Sequence, residues 1–136
     1  MTEATRAALL ERTDAIEQAY EYMLAYAARG CQSDDPKDPE GDIRGLLTEA
    51  RSALDGLVEA TLAHVQALGA DTGPWRAYLD IVAEDAKRAG AAMALVLAQP
   101  GIGSALIDNL NASLHLRSLL TDVFLIDSLL EAAGKR

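Results

Sequence analysis

The sequence predicts an all-α fold, an antiparallel four-helix bundle with up-down-up-down connections. Half of the 136 residues are hydrophobic but only 4% are aromatic, so Leu, Ala, Val and Ile must supply the core. Apolar residues recur at helical spacing in four segments, at about residues 3–29, 43–68, 74–98 and 103–133. Breaks that contain Gly or Pro separate these segments, and the length suits one domain over residues 1–136.

The first three helices have recognisable boundaries. Thr2 can cap the first helix, and Gly30 follows its last turn, where a left-handed residue often ends a helix. Asp42 can cap the second helix, whose apolar residues follow a seven-residue repeat until Gly69. Pro74 suits the first turn of the third helix. The short connection between the second and third helices predicts antiparallel neighbours.

The segment from residue 30 to residue 41 interrupts the helical pattern with prolines, glycines and acidic residues. We expect a solvated, mobile loop, because proline and glycine prevent the helix from continuing and connecting segments lie on the surface. Cys31 in this loop is the only cysteine, so the chain cannot form an internal disulfide.

The fourth helix is more apolar than a bundle helix requires. Projected as one continuous helix, it has a broad apolar face made of Ile102, Ala105, Ala112, Leu116, Leu119, Leu120, Val123 and Ile126. A second apolar strip on a different side consists of Ile107, Leu110, Leu114 and Leu125. The remaining stripe is predicted to face water and consists of Ser104, Asp108, Asn111, His115, Ser118 and Asp122.

The second strip has two explanations: this helix is the most central of the four, or the strip contacts another protein molecule. We favour the contact, which predicts a homo-oligomer, most simply a two-fold dimer. On the same projection Asn109 lies in the middle of the broad apolar face, and Arg117 lies at the edge between the two strips. We predict a structural role for both residues first and a ligand contact second.

Tyr20, Tyr22 and Tyr26 give the end of the first helix an aromatic cluster. Tyrosines at helical spacing usually pack in the core with their hydroxyl groups reaching water. A bundle end lined by tyrosines can also hold a small planar ligand. The cluster is therefore the candidate site of a ligand-binding function.

The motifs of several enzyme classes are missing. Neither His64 nor His115 follows a Glu by three residues, as the di-iron bundles require. We recognise no glycine-rich phosphate loop, no nucleophile elbow and no pair of catalytic carboxylates. The sequence therefore predicts no metal and no cofactor, and His64 is predicted to lie at the surface or its boundary.

The net charge of −9 argues against a nucleic-acid partner, which would need a clustered basic face, and against anionic membranes. The N-terminal residues lack the pattern of a secretory signal, and the longest apolar stretch is too short to span a bilayer. We expect a cytoplasmic protein.

These features predict a non-enzymatic interaction protein, which is an adaptor, a regulator or an assembly factor. It would act through self-association and the spare apolar face of the fourth helix. The alternative is a small-ligand-binding or sensor bundle that uses the tyrosine cluster. An enzyme without a cofactor comes third, because scattered polar residues can catalyse reactions without forming a motif.

Overall fold

The computed structural model describes residues 2–38 and 41–134. Within these two ranges every regular element is a helix: α1 (Thr2–Ala28), α2 (Ile43–Leu54), α3 (Leu57–Ala67), α4 (Thr72–Leu97), α5 (Ser104–Ala112) and α6 (Leu114–Gly134). The all-α prediction is confirmed. Six helices stand where four were predicted, because the second and fourth predicted helices are each divided in two.

The first division lies at Asp55 and Gly56, between α2 and α3. Gly56 has a φ of +82°, in the left-handed region that glycine adopts without strain. The guanidinium of Arg12 in α1 donates hydrogen bonds to the carbonyl oxygens of Ala53 and Asp55. Carbonyl groups at a helix end have no partner within the helix, so Arg12 stabilises the break by satisfying them.

The second division lies at Ser113, between α5 and α6. Its backbone is extended, with a ψ of 146°. Its hydroxyl donates to the carbonyl oxygen of Leu110 at 2.7 Å and accepts from the amide of Leu116 at 3.3 Å. Ser113 thereby ends α5 and caps α6. Because this residue leaves the helical conformation, α6 does not continue the rotation of α5 about a common axis.

The helices pack around a shared apolar core. α1 packs against α2, α3 and α5, and α4 packs against α2, α3 and α6. Contacts between α1 and α6 are sparse. The largest fully buried side chains come from every helix and from the turn before α5, and are those of Tyr26, Met23, Leu47, Leu57, Met93, Ile102, Ile107, Leu119, Ile126, Val65, Val82 and Val123.

The first part of the loop after α1 is anchored to the helices. The carboxylate of Asp34 accepts hydrogen bonds from Nε of Arg44 at 2.7 Å and from the backbone amide of Ile102 at 2.9 Å. These two donors lower the pKa of Asp34. Arg44 also donates to the carbonyl oxygens of Leu97 and Gln99, at the end of α4. The prediction of a solvated loop is therefore wrong at Asp34, and its residues 39 and 40 lie outside the described residues.

The same loop lies close to the turn before α5. The amide of Cys31 donates to the Ser104 hydroxyl, and the Ser104 amide donates to the Cys31 carbonyl, both at 2.8 Å. A β-carbon on Gly103 would lie 2.7 Å from the carbonyl oxygen of Gln32, closer than non-bonded atoms approach. Ser104, which the sequence placed in water, is buried because it bridges this junction.

None of the helices in the described ranges is both long enough and apolar enough to cross a membrane.

Candidate functional site

The structure divides the strip that the sequence predicted as a spare apolar face. Ile107 is fully buried and Leu110 is 6% exposed, so both belong to the core. Leu114 and Leu125 are 78% and 42% exposed. The prediction of one strip is wrong because it assumed a continuous helix, whereas the first pair lies in α5 and the second pair in α6.

An uncharged stripe does run along α6 itself. On a helical projection, an arc of about 80° contains Leu114, Ser118, Thr121, Leu125, Leu129 and Ala132, which we call the outer stripe of α6. Leu129 is 47% exposed, Thr121 and Ala132 are also exposed, and Ser118 is half-buried. The outer stripe therefore presents three leucines to solvent with no charged side chain among them.

Asn109 and Arg117 are both exposed, so the predicted positions of these residues on or beside an apolar face are wrong. The same assumption of one continuous helix caused both errors. The amide that is partly buried in α5 is that of Asn111, which the sequence placed in water. Its Oδ1 is buried and accepts no hydrogen bond from the described residues.

The three tyrosines of α1 make two separate sets of contacts. Tyr26 is buried and donates a hydrogen bond to the carbonyl oxygen of Ile102 at 2.6 Å, and its ring centroid lies 6.2 Å from that of Tyr22. Burial raises the pKa of Tyr26. Tyr20 instead contacts Phe124 of α6 edge to face, with ring centroids 6.5 Å apart. Tyr26 therefore joins α1 to the turn before α5, whereas Tyr20 joins α1 to α6.

A buried carboxyl group holds α6 against α4. Asp122 is only 4% exposed, although the sequence placed it in water, and its Oδ1 accepts a hydrogen bond from the Tyr78 hydroxyl at 2.7 Å. Its Oδ2 is buried and has no partner of good geometry among the described residues. Burial and the neighbouring carboxyl of Asp85 raise the pKa of Asp122 to about 7. Burial and Asp122 in turn raise the pKa of Tyr78 to about 12.

A second carboxyl pair joins α6 to α1. The carboxyl of Glu17 lies close to that of Asp127, which favours the protonated form of Glu17. This neighbour, burial and the charges of Asp127, Asp14 and Glu21 raise the pKa of Glu17 to about 7. α6 thus has ionisable contacts toward both neighbouring helices and an uncharged outer stripe.

His64 lies below the surface, so the prediction of a surface or boundary position is wrong. It is 5% exposed, and its Nδ1 lies 2.9 Å from the Thr5 hydroxyl of α1. The imidazole lines a groove of about 720 Å³ whose other walls come from α1 and α6. Burial and the charge of Arg6 lower the pKa of His64.

Over the ranges 2–38 and 41–134, no three His, Cys, Asp or Glu side chains are grouped so that they could hold a metal ion. Comparison of the chain with protein-family models, curated proteins and solved structures found no match.

Proposed function

We propose that the chain is a non-enzymatic interaction protein that self-associates by pairing the outer stripe of α6 with the same stripe of a second copy. The observation that carries the proposal is the exposure of Leu114, Leu125 and Leu129 on one uncharged helix face. Surface leucines that occur singly need no explanation, but an aligned row is typical of a contact surface.

The spacing of the outer stripe supports pairing with a copy of itself. Its members are separated by steps of three and four residues, as in helices that pack knobs into holes. In an antiparallel pair centred near residue 121, Leu114 of one copy faces Leu129 of the other, and Ser118 faces Leu125. Two leucines then meet at each end of the contact and a leucine meets a serine nearer its centre, and a two-fold axis relates the two halves.

The charge of the chain restricts where two copies can meet. Two molecules that each carry a net charge of −9 repel each other, so they associate most easily where neither presents a carboxylate. The outer stripe meets this requirement. Burying one leucine fully stabilises a contact by roughly 1.5–3 kcal/mol, and these leucines are partly exposed before they associate.

The area available sets the expected strength of this contact. The part of α6 that holds the outer stripe is about 28 Å long. A single pair of helices of this length buries less than the roughly 1,200 Å² of a standard stable interface. We therefore expect a dimer that forms and dissociates in the micromolar range.

The helix arrangement is part of the proposal. We propose that α2 and α3 together act as one bent helix, and that α5 and α6 together act as another. With α1 and α4 they then form an antiparallel four-helix bundle. The outer stripe then lies on the second half of the last bent helix, which is α6. A cytoplasmic location and the absence of nucleic-acid partners stay predictions from the sequence.

Substitution of Leu125 by glutamate tests the proposal. We expect the wild type to sediment as a monomer–dimer mixture whose dimer fraction rises with concentration, and Leu125→Glu to sediment as a monomer throughout. Circular dichroism should show the same helical content in both proteins, because Leu125 is 42% exposed and lies outside the core. Sedimentation velocity over the micromolar range gives the measurement.

Leu95→Glu is the matched control. Leu95 is 67% exposed and lies on α4, so this variant adds the same charge to an exposed leucine outside the outer stripe. It should dimerise like the wild type. A wild type that stays monomeric, or a Leu95→Glu variant that loses the dimer equally, would contradict the proposal.

A further inference from the structure

We infer that α6 is a pH-dependent element: protonated carboxyl groups on its two flanks hold it against α1 and α4, and their ionisation releases it from the bundle by rotation about Ser113. One carboxyl is that of Asp122, in the contact with α4. The other is that of Glu17 of α1, which lies close to Asp127 of α6. The inference concerns the fold of one chain and does not depend on the pairing of two copies.

The two carboxyl contacts lie on either side of the buried face of α6. On a helical projection Asp122 and Asp127 are about 140° apart. Three fully buried residues occupy the arc between them: Leu119, Val123 and Ile126. A negative charge on either flank therefore acts at the edge of the apolar contact that holds the helix in the bundle.

The apolar contact of α6 ends near these carboxyl groups. Ile126 is the last buried residue of the helix, and from residue 128 to residue 133 every side chain is exposed except the partly buried one of Leu130. Contacts between α6 and α1 are sparse. The carboxyl contacts therefore lie toward the end of α6 that has the least apolar contact with the bundle.

The surroundings of Asp122 favour a proton on this carboxyl. Oδ1 accepts from the Tyr78 hydroxyl at 2.7 Å, and Oδ2 is buried without a hydrogen-bond partner among the described residues. The carboxyl of Asp85 in α4 lies nearby. α5 also packs on α6, but its single ionisable residue, Asp108, is exposed. A negative charge on Asp122 thus meets a second carboxyl in a place that water reaches poorly.

The contact between Glu17 and Asp127 has the same character. The charged groups that face Glu17 are Asp14 and Glu21 of α1 and Asp127 of α6. Several carboxyl groups in one place disfavour the ionised form of one of them. A proton on Glu17 therefore lets α1 and α6 approach each other, and its loss makes the two helices repel.

Ser113 is the residue about which α6 can rotate. It is the single residue between α5 and α6, and its backbone is extended. On one side, Ile107 and Leu110 anchor α5 in the core, whereas Leu114 on the other side is 78% exposed. A change in the backbone angles of Ser113 therefore moves α6 and leaves the core residues of α5 in place.

The direction of the pH effect follows from the two carboxyl groups. The pKa of Glu17 rises from 4.5 to about 7 in the bundle, and the pKa of Asp122 rises from 3.8 to about 7. Between these limits each carboxyl keeps its proton only while α6 is packed, so opening releases one proton from each carboxyl to solvent. The opening equilibrium constant should therefore rise by about tenfold per pH unit for each carboxyl, and it should level off above a pH of about 7.

Hydrogen–deuterium exchange of the backbone amides tests the inference. It is measured below the micromolar range, so that self-association does not contribute. We expect the protection factors of α6 to lie about tenfold or more below those of α2 and to fall as the pH rises from about 5 to about 7. Equal protection of α6 and α2 would mean that α6 opens only when the whole chain unfolds. Either this result or an α6 protection that is independent of pH would overturn the inference.

The double variant Glu17→Gln, Asp122→Asn should hold α6 in place at every pH. Both amides are uncharged and retain an acceptor oxygen, so the α6 protection factors should no longer fall with pH. Each single variant should lower the dependence to about tenfold per pH unit, which provides the same test if the double variant does not fold.

The matched control is Glu49→Gln with Asp108→Asn. It also removes one glutamate and one aspartate charge, at exposed positions of α2 and α5. This control should show the wild-type pH dependence. Variants at Glu17 and Asp122 that keep the full wild-type dependence would overturn the inference.

Discussion

Asp122 is a carboxyl group in an unfavourable position. It lies in the contact between α6 and α4, where the Tyr78 hydroxyl donates to one oxygen and the carboxyl of Asp85 lies nearby. The protonated form avoids both the cost of burying a charge and the repulsion from Asp85. Folding therefore favours the neutral acid, and ionisation at neutral pH costs stability.

The sign of this effect gives a prediction at the scale of one residue. The pKa of Asp122 rises from its ordinary 3.8 to about 7 on folding, so between these values the folded chain binds more protons than the unfolded chain. The contribution of Asp122 to the free energy of unfolding therefore falls as pH rises through this window, and the loss is complete above it. Asp122→Asn should raise the melting temperature above pH 7 and have much less effect near pH 4.

Thermal unfolding by circular dichroism over this pH range measures the effect. The asparagine retains an oxygen acceptor for Tyr78, so the hydrogen bond survives. Asp108→Asn is the control, because Asp108 is exposed and its replacement should leave the pH profile unchanged. A lower melting temperature for Asp122→Asn above pH 7 would show that the ionised carboxylate stabilises the contact.

Sequence patterns predicted some individual residues and missed others for a physical reason. The Asp42 cap is confirmed, since its side chain accepts from the Arg44 amide at 3.0 Å, and Gly30 has the predicted left-handed φ of +70°. Both interactions are local. Asp122 bonds to Tyr78 across 44 positions and His64 to Thr5 across 59. Spacing within one helix contains no information about such partners.

At the scale of elements, Ser113 marks the point along the chain at which the predicted apolar strip changes from buried to exposed. It ends α5, where Ile107 and Leu110 are buried, and begins α6, where Leu114 is the most exposed large hydrophobic residue among those described. A helical projection that continues through Ser113 places Ile107, Leu110 and Leu114 on one face. The break therefore explains why periodicity predicted the helical state correctly and the buried face incorrectly.

Aspartate substitutions on either side of Ser113 test the break. Leu110→Asp should unfold the protein or reduce its stability by about 4 kcal/mol or more, because a charge would enter the core. Leu114→Asp should change stability by about 0.5 kcal/mol or less, as is usual at an exposed site. Urea unfolding followed by circular dichroism compares the two, and equal effects would mean that one helix continues through residue 113.

Different signals marked the two breaks. Asp55-Gly56 is a dipeptide typical of turns, and it lies inside an otherwise regular seven-residue repeat. The repeat predicted one helix because the apolar residues keep their spacing across the break. Ser113 is not part of a dipeptide typical of turns, and a lone serine occurs in many helices without ending them. Its capping role depends on the Leu110 and Leu116 backbone groups that it contacts.

At the scale of the whole molecule, the charge is unevenly distributed along α6. A net charge of −9 keeps copies of the chain apart, and the outer stripe is a row of side chains that contributes nothing to this repulsion. Self-association therefore depends on the balance between leucine burial and the long-range field of the remaining surface.

Salt should shift this balance toward the dimer. Between about 0.01 M and about 1 M salt the screening length falls from about 30 Å to about 3 Å, which removes repulsion between two acidic molecules and leaves apolar burial intact. We expect the dimer dissociation constant, measured by sedimentation equilibrium, to fall as salt increases. A constant that rises with salt would indicate an interface held by ion pairs instead of the outer stripe.

The close approach of the loop after α1 to the turn before α5 also has a consequence for how this sequence can diverge. A β-carbon at position 103 would meet the Gln32 backbone at 2.7 Å, and backbone cannot rotate away. A β-carbon at position 101 would meet the Ser33 hydroxyl at 2.5 Å, and a side chain can turn aside or be exchanged. Descendants of this sequence should accordingly retain glycine at 103 under purifying selection. At 101, small residues should appear together with compensating changes at 33.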